Sequence, residues 1–424
     1  MKLLDRSLPP GFKIPEHITF PTPHKRTLRN GVPLFFIHTP EINAIRLEIN
    51  ADTPAVLGKE EKKLAPYFTL HMLLEGTINR SAAELDDFFD TYASEVEIIS
   101  TFEHQGLSLL TTKKHFSKVL PVFRELMTEA VFPEKELAKR KSQKSLSLSI
   151  LHKKSSNRAS QLFRKELFGA FHPFGQISEE KDVDAIQRDD LLNFYSNDLW
   201  ANPEIFLTGN VTEAELDLIS EYLGNLPTIK SHVKLSQFTN TKHQRLVEDR
   251  QKSVQSSLRI GCHLISKNHP DYFALWIFNV FLGGYFGSRL IKNIREDKGH
   301  TYGIYSSIGS LKASDYWIIM ADVIKEHTEE VIEEIYKEIH KLQYEKIPLD
   351  ELETVRNYLV GNLLSNFSSS FELISRFKTI HQAGLDFDFF DNQLAFIKTF
   401  TPEKIQEIGI KYLQREQMVE VIVG

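Results

Sequence analysis

The stretch LAPYFTLHMLLEGT, Leu64 to Thr77, decides how the whole chain is read. Its pattern predicts a helix, and a helix brings residues i and i+4 onto one face, about one turn apart. Two imidazoles at that spacing can grip one zinc ion, and a glutamate just before the second can reach metal-bound water as general base. His71 stands at the second imidazole position, Tyr67 stands four residues earlier, and Leu70 stands where the base belongs. A phenol with a pKa of about 10 stays neutral near pH 7 and is a poor ligand, and a leucine moves no proton. Tyr67, Leu70 and His71 therefore read as vestiges of a metal motif, with no metal expected on this chain.

Around this helix the chain reads as a globular protein of two domains. Its 424 residues exceed one ordinary core, and 41% apolar with 25% charged residues is a globular composition. A net charge of -6 argues against a nucleic-acid binder, which would carry a basic face. The single cysteine, Cys262, excludes an internal disulfide and fits a reducing compartment. The start, MKLLDRSLPPGFKIPEHITFPTP, lacks an apolar signal core, and the longest apolar stretch, ALWIFNVFLGGYF, is too short for a membrane span. A cytoplasmic location is the expectation.

Residues 1–25 are proline-rich and aperiodic, an expected arm. TLRNGVPLFFI predicts a hairpin with a type I′ turn at Asn30-Gly31. Further strands are expected at AIRLEINADT, VEIIST, QGLSLLTT and EIFLTG. Helices are expected from Leu64, from Ser81 with a Ser81/Glu84 capping box, through Phe116–Ala130, from Glu134, over Val183–Asn197 and at TEAELDLISEYLG. Residues 226–245 read as a polar linker between domains 26–225 and 246–424. Beyond it the order restarts: strand QSSLRIG, buried helix YFALWIFNVFL, strands HTYGIYSSIG and DYWIIMADV, two long helices, and the final strand VEVIVG.

The restart is an internal repeat. His115, Val119, Phe123 and Met127 recur as His327, Val331, Ile335 and Ile339. Each set is followed by a proline and a glutamate-leucine pair, Pro133 with Glu136-Leu137 and Pro348 with Glu351-Leu352. Tyr195 leading to Gly209 is echoed by Tyr412 leading to Gly424. Matches in the same order favour duplication over two unrelated domains. The expected class is α+β, with two duplicated domains, each an antiparallel-rich sheet with helices packed on one face.

With these segments together, the chain resembles the pitrilysin/insulinase-type metallopeptidases, which include the mitochondrial processing peptidases. HMLLEGT is similar to the family segment that begins at its second motif histidine, and FHPFG (Phe171–Gly175) and the Thr-Gly end of EIFLTG fall where the family has similar sequences. The resemblance spans nearly the whole chain. It implies a third zinc ligand, a glutamate on a long helix, yet the corresponding window Lys141 to Arg158 contains no acidic residue, so three of the four residues that bind zinc or activate water are absent. FLGGYFGSRLIKNIREDKGHTYGIYS is close to the family's C-terminal signature and keeps its arginine and tyrosine, Arg295 and Tyr302, which the resemblance implies hold the substrate backbone. Locally, Leu290, Ile291 and Ile294 form one apolar helix face, and Gly299 ends that helix so that the chain can return Tyr302 beside Arg295.

The expected function is a non-catalytic, substrate-binding subunit of a heterodimeric zinc peptidase, inactive alone. Zinc would lie on a homologous partner subunit and an extended peptide would be the ligand, with a homodimer as the assembly when that partner is absent; neither nucleic acid nor membrane is expected. The alternative is a proteolytically silent structural homologue, like the core subunits of the cytochrome bc complex, and a weaker one is an active peptidase with a displaced metal site. Other clusters read as ordinary structure: His327 with Glu330 as a solvated helix face, Cys262 near His263 and His269 as lacking further ligands, and Gly283, Gly284 and Gly287 as close packing or a loop.

Overall fold

The computed structural model describes residues 7, 21–53, 62–231, 242–311, 315–367 and 369–424. The first half runs β1 (His24–Thr27), β2 (Pro33–His38), β3 (Ala44–Asp52), α1 (Ala65–Met72), α2 (Ala82–Thr91), β4 (Glu95–Ser100) and β5 (His104–Thr112). It continues through α3 (Lys113–Thr128), α4 (Glu134–Lys153), α5 (Ser155–Phe168), α6 (Glu180–Asp184), α7 (Arg188–Asn197), β6 (Glu204–Gly209) and α8 (Glu213–Leu223). The second half comprises β7 (Gln244–Glu248), β8 (Gln255–Leu264), α9 (Tyr272–Asn279), β9 (Thr301–Gly309), β10 (Asp315–Ile324) and α10 (Thr328–Tyr344). It closes with α11 (Leu349–Ser365), α12 (Ser370–Gln382), α13 (Asp388–Thr399), α14 (Pro402–Tyr412) and β11 (Val419–Val423).

The two sheets repeat each other strand for strand. Their orders are β1-β2-β6-β3-β5-β4 and β7-β11-β8-β10-β9. In each, one parallel pair (β2 with β6, β7 with β11) is followed by antiparallel pairs out to the far edge, so only β1 is extra. The repeated positions perform the same task twice: Val119, Phe123 and Met127 on α3, and Val331, Ile335 and Ile339 on α10, are all buried against their own sheets. Pro133 and Pro348 both stand just before a helix, where the missing N–H costs nothing.

The helices do more than cover one face. α5 leaves the first half, and its Phe163 and Leu167 pack against Ile318, Val419, Val421 and Val423 of the second sheet. α12 returns the exchange, setting Leu373 and Ile374 on Phe35, Ile37 and Phe206 of the first. Strand residues alternate faces, so Val419, Val421 and Val423 meet α5 while Ile422 joins the second half's own core. Polar contacts flank both seams: Arg158 Nε lies 2.8 Å from Glu248 Oε2, His381 Nε2 lies 2.8 Å from Glu204 Oε1, and Lys378 pairs with Glu48.

Several local expectations need correction. The Asn30-Gly31 turn is not type I′, because Gly31 has φ +83° while Asn30 does not take positive φ. Asn30 is fixed instead by its side chain, whose Nδ2 donates to the carbonyls of Leu223 (3.0 Å) and Leu226 (3.1 Å). The helix expected over Val183–Asn197 is broken into α6 and α7 around Ile186–Gln187, where Gln187 and Asp190 start a new capped helix. α5, α12, α13 and α14 had no counterpart in the sequence reading. Of the expected arm, residues 1–6 and 8–20 lie outside the described residues, and His24 and Lys25 already belong to β1. Of the expected linker, residues 232–241 lie outside them; Ile229 N–H donates to Trp200 O (2.9 Å), and Gln244 begins β7.

Candidate peptide-binding site

On α1, Tyr67 and His71 share a face, with ring centroids 4.0 Å apart. His71 Nδ1–H donates to the Tyr67 carbonyl at 2.8 Å, which leaves the lone pair on Nε2. Burial depresses the His71 pKa, and the Arg140 and Lys144 charges push it the same way. Both cations come from α4. Lys144 Nζ stands 3.6 Å from the centroid of the Tyr67 ring, in cation–π contact, and burial lowers its own pKa. Arg140 pairs with Glu75, and burial raises the Tyr67 phenol. Leu70 points away into the core, 1% exposed.

This donor set does not fit zinc. One imidazole and one neutral phenol face two fixed cations, and a dication placed among them would be repelled by both. The long helix expected downstream is α4, and the side chains it turns toward α1 are basic rather than acidic.

The second place is built around a helical turn. After α9 the chain continues as a π-helical turn over Val280–Gly284, and a second π-helical turn, Ile291–Asp297, carries Arg295. Wide turns of this kind recur at functional sites because they displace a side chain from the regular helical surface. Leu290, Ile291 and Ile294 are fully buried and anchor this turn, as their spacing predicts. Gly299 ends it with φ +68°, His300 N–H donates back to Ile294 O (3.0 Å), and the chain reverses into β9. That reversal returns Tyr302 to Arg295, the guanidinium lying 5.5 Å from its ring centroid. Arg295 also lies 4.8 Å from the ring of Phe286. Both rings are largely exposed, Tyr302 at 89% and Phe286 at 65%. Among the described residues the Arg295 guanidinium takes part in no hydrogen bond or ion pair, so its donors are available to a ligand.

The sequence reading missed Phe286. An aromatic residue between Gly284 and Gly287 was the available signal, but the glycines were read as packing or a loop. For Gly283 packing holds, since a Cβ there would sit 2.8 Å from Ser306 N. Cys262 is buried, and its thiol is pushed up to about 12, which removes it from ligand chemistry.

Fold and site together define a duplicated chain in which two cations of α4 stand beside Tyr67 and His71 and the Arg295 guanidinium lies beside two exposed rings. Two profiles of one family match it, "Insulinase (Peptidase family M16)" over residues 60–170 and "Peptidase M16 inactive domain" over residues 185–359. The chain belongs to the M16, or insulinase, family of peptidases. It is 22% identical to an uncharacterized zinc protease, YmxG, of Bacillus subtilis, over 82% of this chain and 86% of that one. It is 19% identical to a probable mitochondrial-processing peptidase subunit beta of Schizosaccharomyces pombe, over 62% and 60%. Its fold is similar to the crystal structure of a peptidase M16 inactive domain from Pseudomonas fluorescens, with TM-score 0.85 and 21% identity over 95% of this chain and 98% of that one. Among the described residues no helix is long and apolar enough to cross a membrane.

Proposed function

We propose that this chain is the non-catalytic, substrate-binding subunit of a two-chain zinc peptidase. Metal and water activation reside on a homologous partner subunit, and this chain holds no zinc at Tyr67, Leu70 and His71. Its part is to grip an extended peptide through Arg295 and Tyr302. The guanidinium offers several fixed donors and a permanent charge to the peptide carbonyls, the phenol adds one aimed hydroxyl, and the Phe286 ring stands beside the guanidinium. We place the pair in the cytoplasm.

The observation that carries this reading is the unspent guanidinium of Arg295 beside two exposed rings. A buried structural arginine would have its donors bonded within the fold. The test mixes purified chain with its zinc-bearing partner and follows cleavage of a fluorogenic peptide. The chain alone cleaves nothing, and the mixture cleaves. Removing an aimed donor typically costs about 10²–10³ in rate, so Arg295→Ala is expected to lose about 100-fold, and Tyr302→Phe less. Full activity in both variants would remove the functional role, and peptide binding indifferent to Arg295 would favour a silent structural subunit.

A further inference from the structure

We propose that His300, His327 and Glu330 form a binding site for a late first-row divalent metal ion, zinc or nickel, which staples the turn ahead of Tyr302 to the start of α10. The sequence reading placed His327 and Glu330 on a solvated helix face and expected no metal on the chain, because neither that pair nor the Cys262 cluster offered a third ligand in the sequence. The third residue comes from another element. His300 lies in the turn between the Arg295 helix and β9, and only 12% of its side chain is exposed.

The geometry is that of a donor set. His300 Nε2 and His327 Nδ1 each lie 3.2 Å from the same carboxylate oxygen, Glu330 Oε2. All three donor atoms fall within 4.8 Å of one another. Zinc–ligand bonds of about 2.0–2.1 Å in a tetrahedron put neighbouring donors about 3.3 Å apart, the spacing each nitrogen already has from the carboxylate oxygen. The imidazoles stack at 3.9 Å with 15° between planes, so their in-plane lone pairs run nearly parallel, and one ring must turn about its Cβ–Cγ bond for both to converge on an ion. Imidazole and carboxylate together suit zinc and nickel over calcium or magnesium, which prefer oxygen alone.

The support around the site is rigid. His300 is held by its backbone, donating to Ile294 O and accepting from Ile324 N–H, both at 3.0 Å. His327 immediately precedes α10 and Glu330 lies in its first turn, which is anchored by fully buried Val331 and Ile332. Lys298 Nζ binds the other carboxylate oxygen, Glu330 Oε1, at 2.8 Å. That contact orients the carboxylate and restricts it to one bond through Oε2, while its charge opposes the ion and keeps affinity moderate. On binding, each imidazole moves its proton to the opposite ring nitrogen and presents a lone pair; no redox change is involved.

His300 is two residues before Tyr302, so the ion would restrain the reversal that sets Tyr302 against Arg295. The test uses the full chain, stripped with EDTA and titrated with zinc by calorimetry and with cobalt by visible absorption. One ion per chain is expected, with a four-coordinate cobalt spectrum. His327→Ala and Glu330→Gln should each weaken binding at least tenfold, and zinc should raise the Tm of the unaltered chain more than that of Glu330→Gln. His71→Ala should leave stoichiometry and affinity unchanged. No saturable binding, binding that survives both variants, or binding abolished by His71→Ala would overturn the proposal.

Discussion

Leu70 limits what can be rebuilt on α1. It is 1% exposed and packed in the first half's core, so a glutamate there would be a carboxylate buried among apolar side chains. We expect the double variant Tyr67→His, Leu70→Glu to lose on the order of 3 kcal/mol of stability. It should still take up no zinc at α1, because Lys144 and Arg140 keep their charges beside the restored histidine pair. Urea unfolding measures the first effect, and metal analysis in a Glu330→Gln background measures the second. Zinc in excess of that held by Glu330→Gln alone would show that the α4 cations swing aside. Three of these residues, Tyr67, Leu70 and His71, were legible in the sequence because a single helix fixes their spacing. Arg140 and Lys144 were not, because which face of α4 meets α1 is decided by packing between helices. A search for a missing carboxylate also does not register a cation in its neighbourhood.

The repeat was legible where both copies kept the same task and illegible where the copies diverged. Val119 and Val331 face equivalent cores, so their periodicity survives in the sequence. Tyr195 and Tyr412 also repeat, but the Tyr195 hydroxyl accepts from Ala130 N–H at 3.3 Å while Tyr412 donates to Asp271 at 2.8 Å. α5 went unread because its buried residues meet the sheet of the other half, and no local pattern announces a distant partner. Asp271, just ahead of α9, ties that helix to both ends of α14, through Lys404 (3.3 Å) at its start and Lys411 (2.8 Å) and Tyr412 at its end. These bonds, led by that from Lys411, hold the Asp271 carboxyl at about 2, below its ordinary 3.8. A depressed carboxyl stabilises the fold above its unfolded pKa, and the effect fades as pH falls from about 4 toward 2. Asp271→Asn should therefore cost about 1 kcal/mol at pH 7, allowing for solvent screening, and progressively less below pH 4. Urea midpoints across that range measure it; a cost that persists undiminished at pH 2 would mean that Asp271 acts by packing rather than by charge.

At the scale of the molecule, the exchange of α5 and α12 makes each half the lid of the other. Separating the halves would uncover Val419, Val421 and Val423 on one sheet and Phe35, Ile37 and Phe206 on the other, together with the helices that now cover them. Neither half can shed its partner without exposing a broad apolar face, so unfolding should be coupled across the seam. Trp200 lies in the first half, and Trp276 and Trp317 lie in the second, which provides a reporter for each once the others are replaced by phenylalanine. In the unaltered seam the two reporters should give coincident urea transitions. Phe163 is fully buried against the second sheet, and Leu373 is 5% exposed against the first. Phe163→Ala should cost about 3–5 kcal/mol and Leu373→Ala about 2–5 kcal/mol, both by cavity formation at the seam rather than within either core. With both changes present, the reporters should separate into two transitions. Coincident transitions in the double variant would mean that the two halves are held together by something other than the exchanged helices. A cost below about 1 kcal/mol for Phe163→Ala would mean that the α5 seam carries little of the fold's stability.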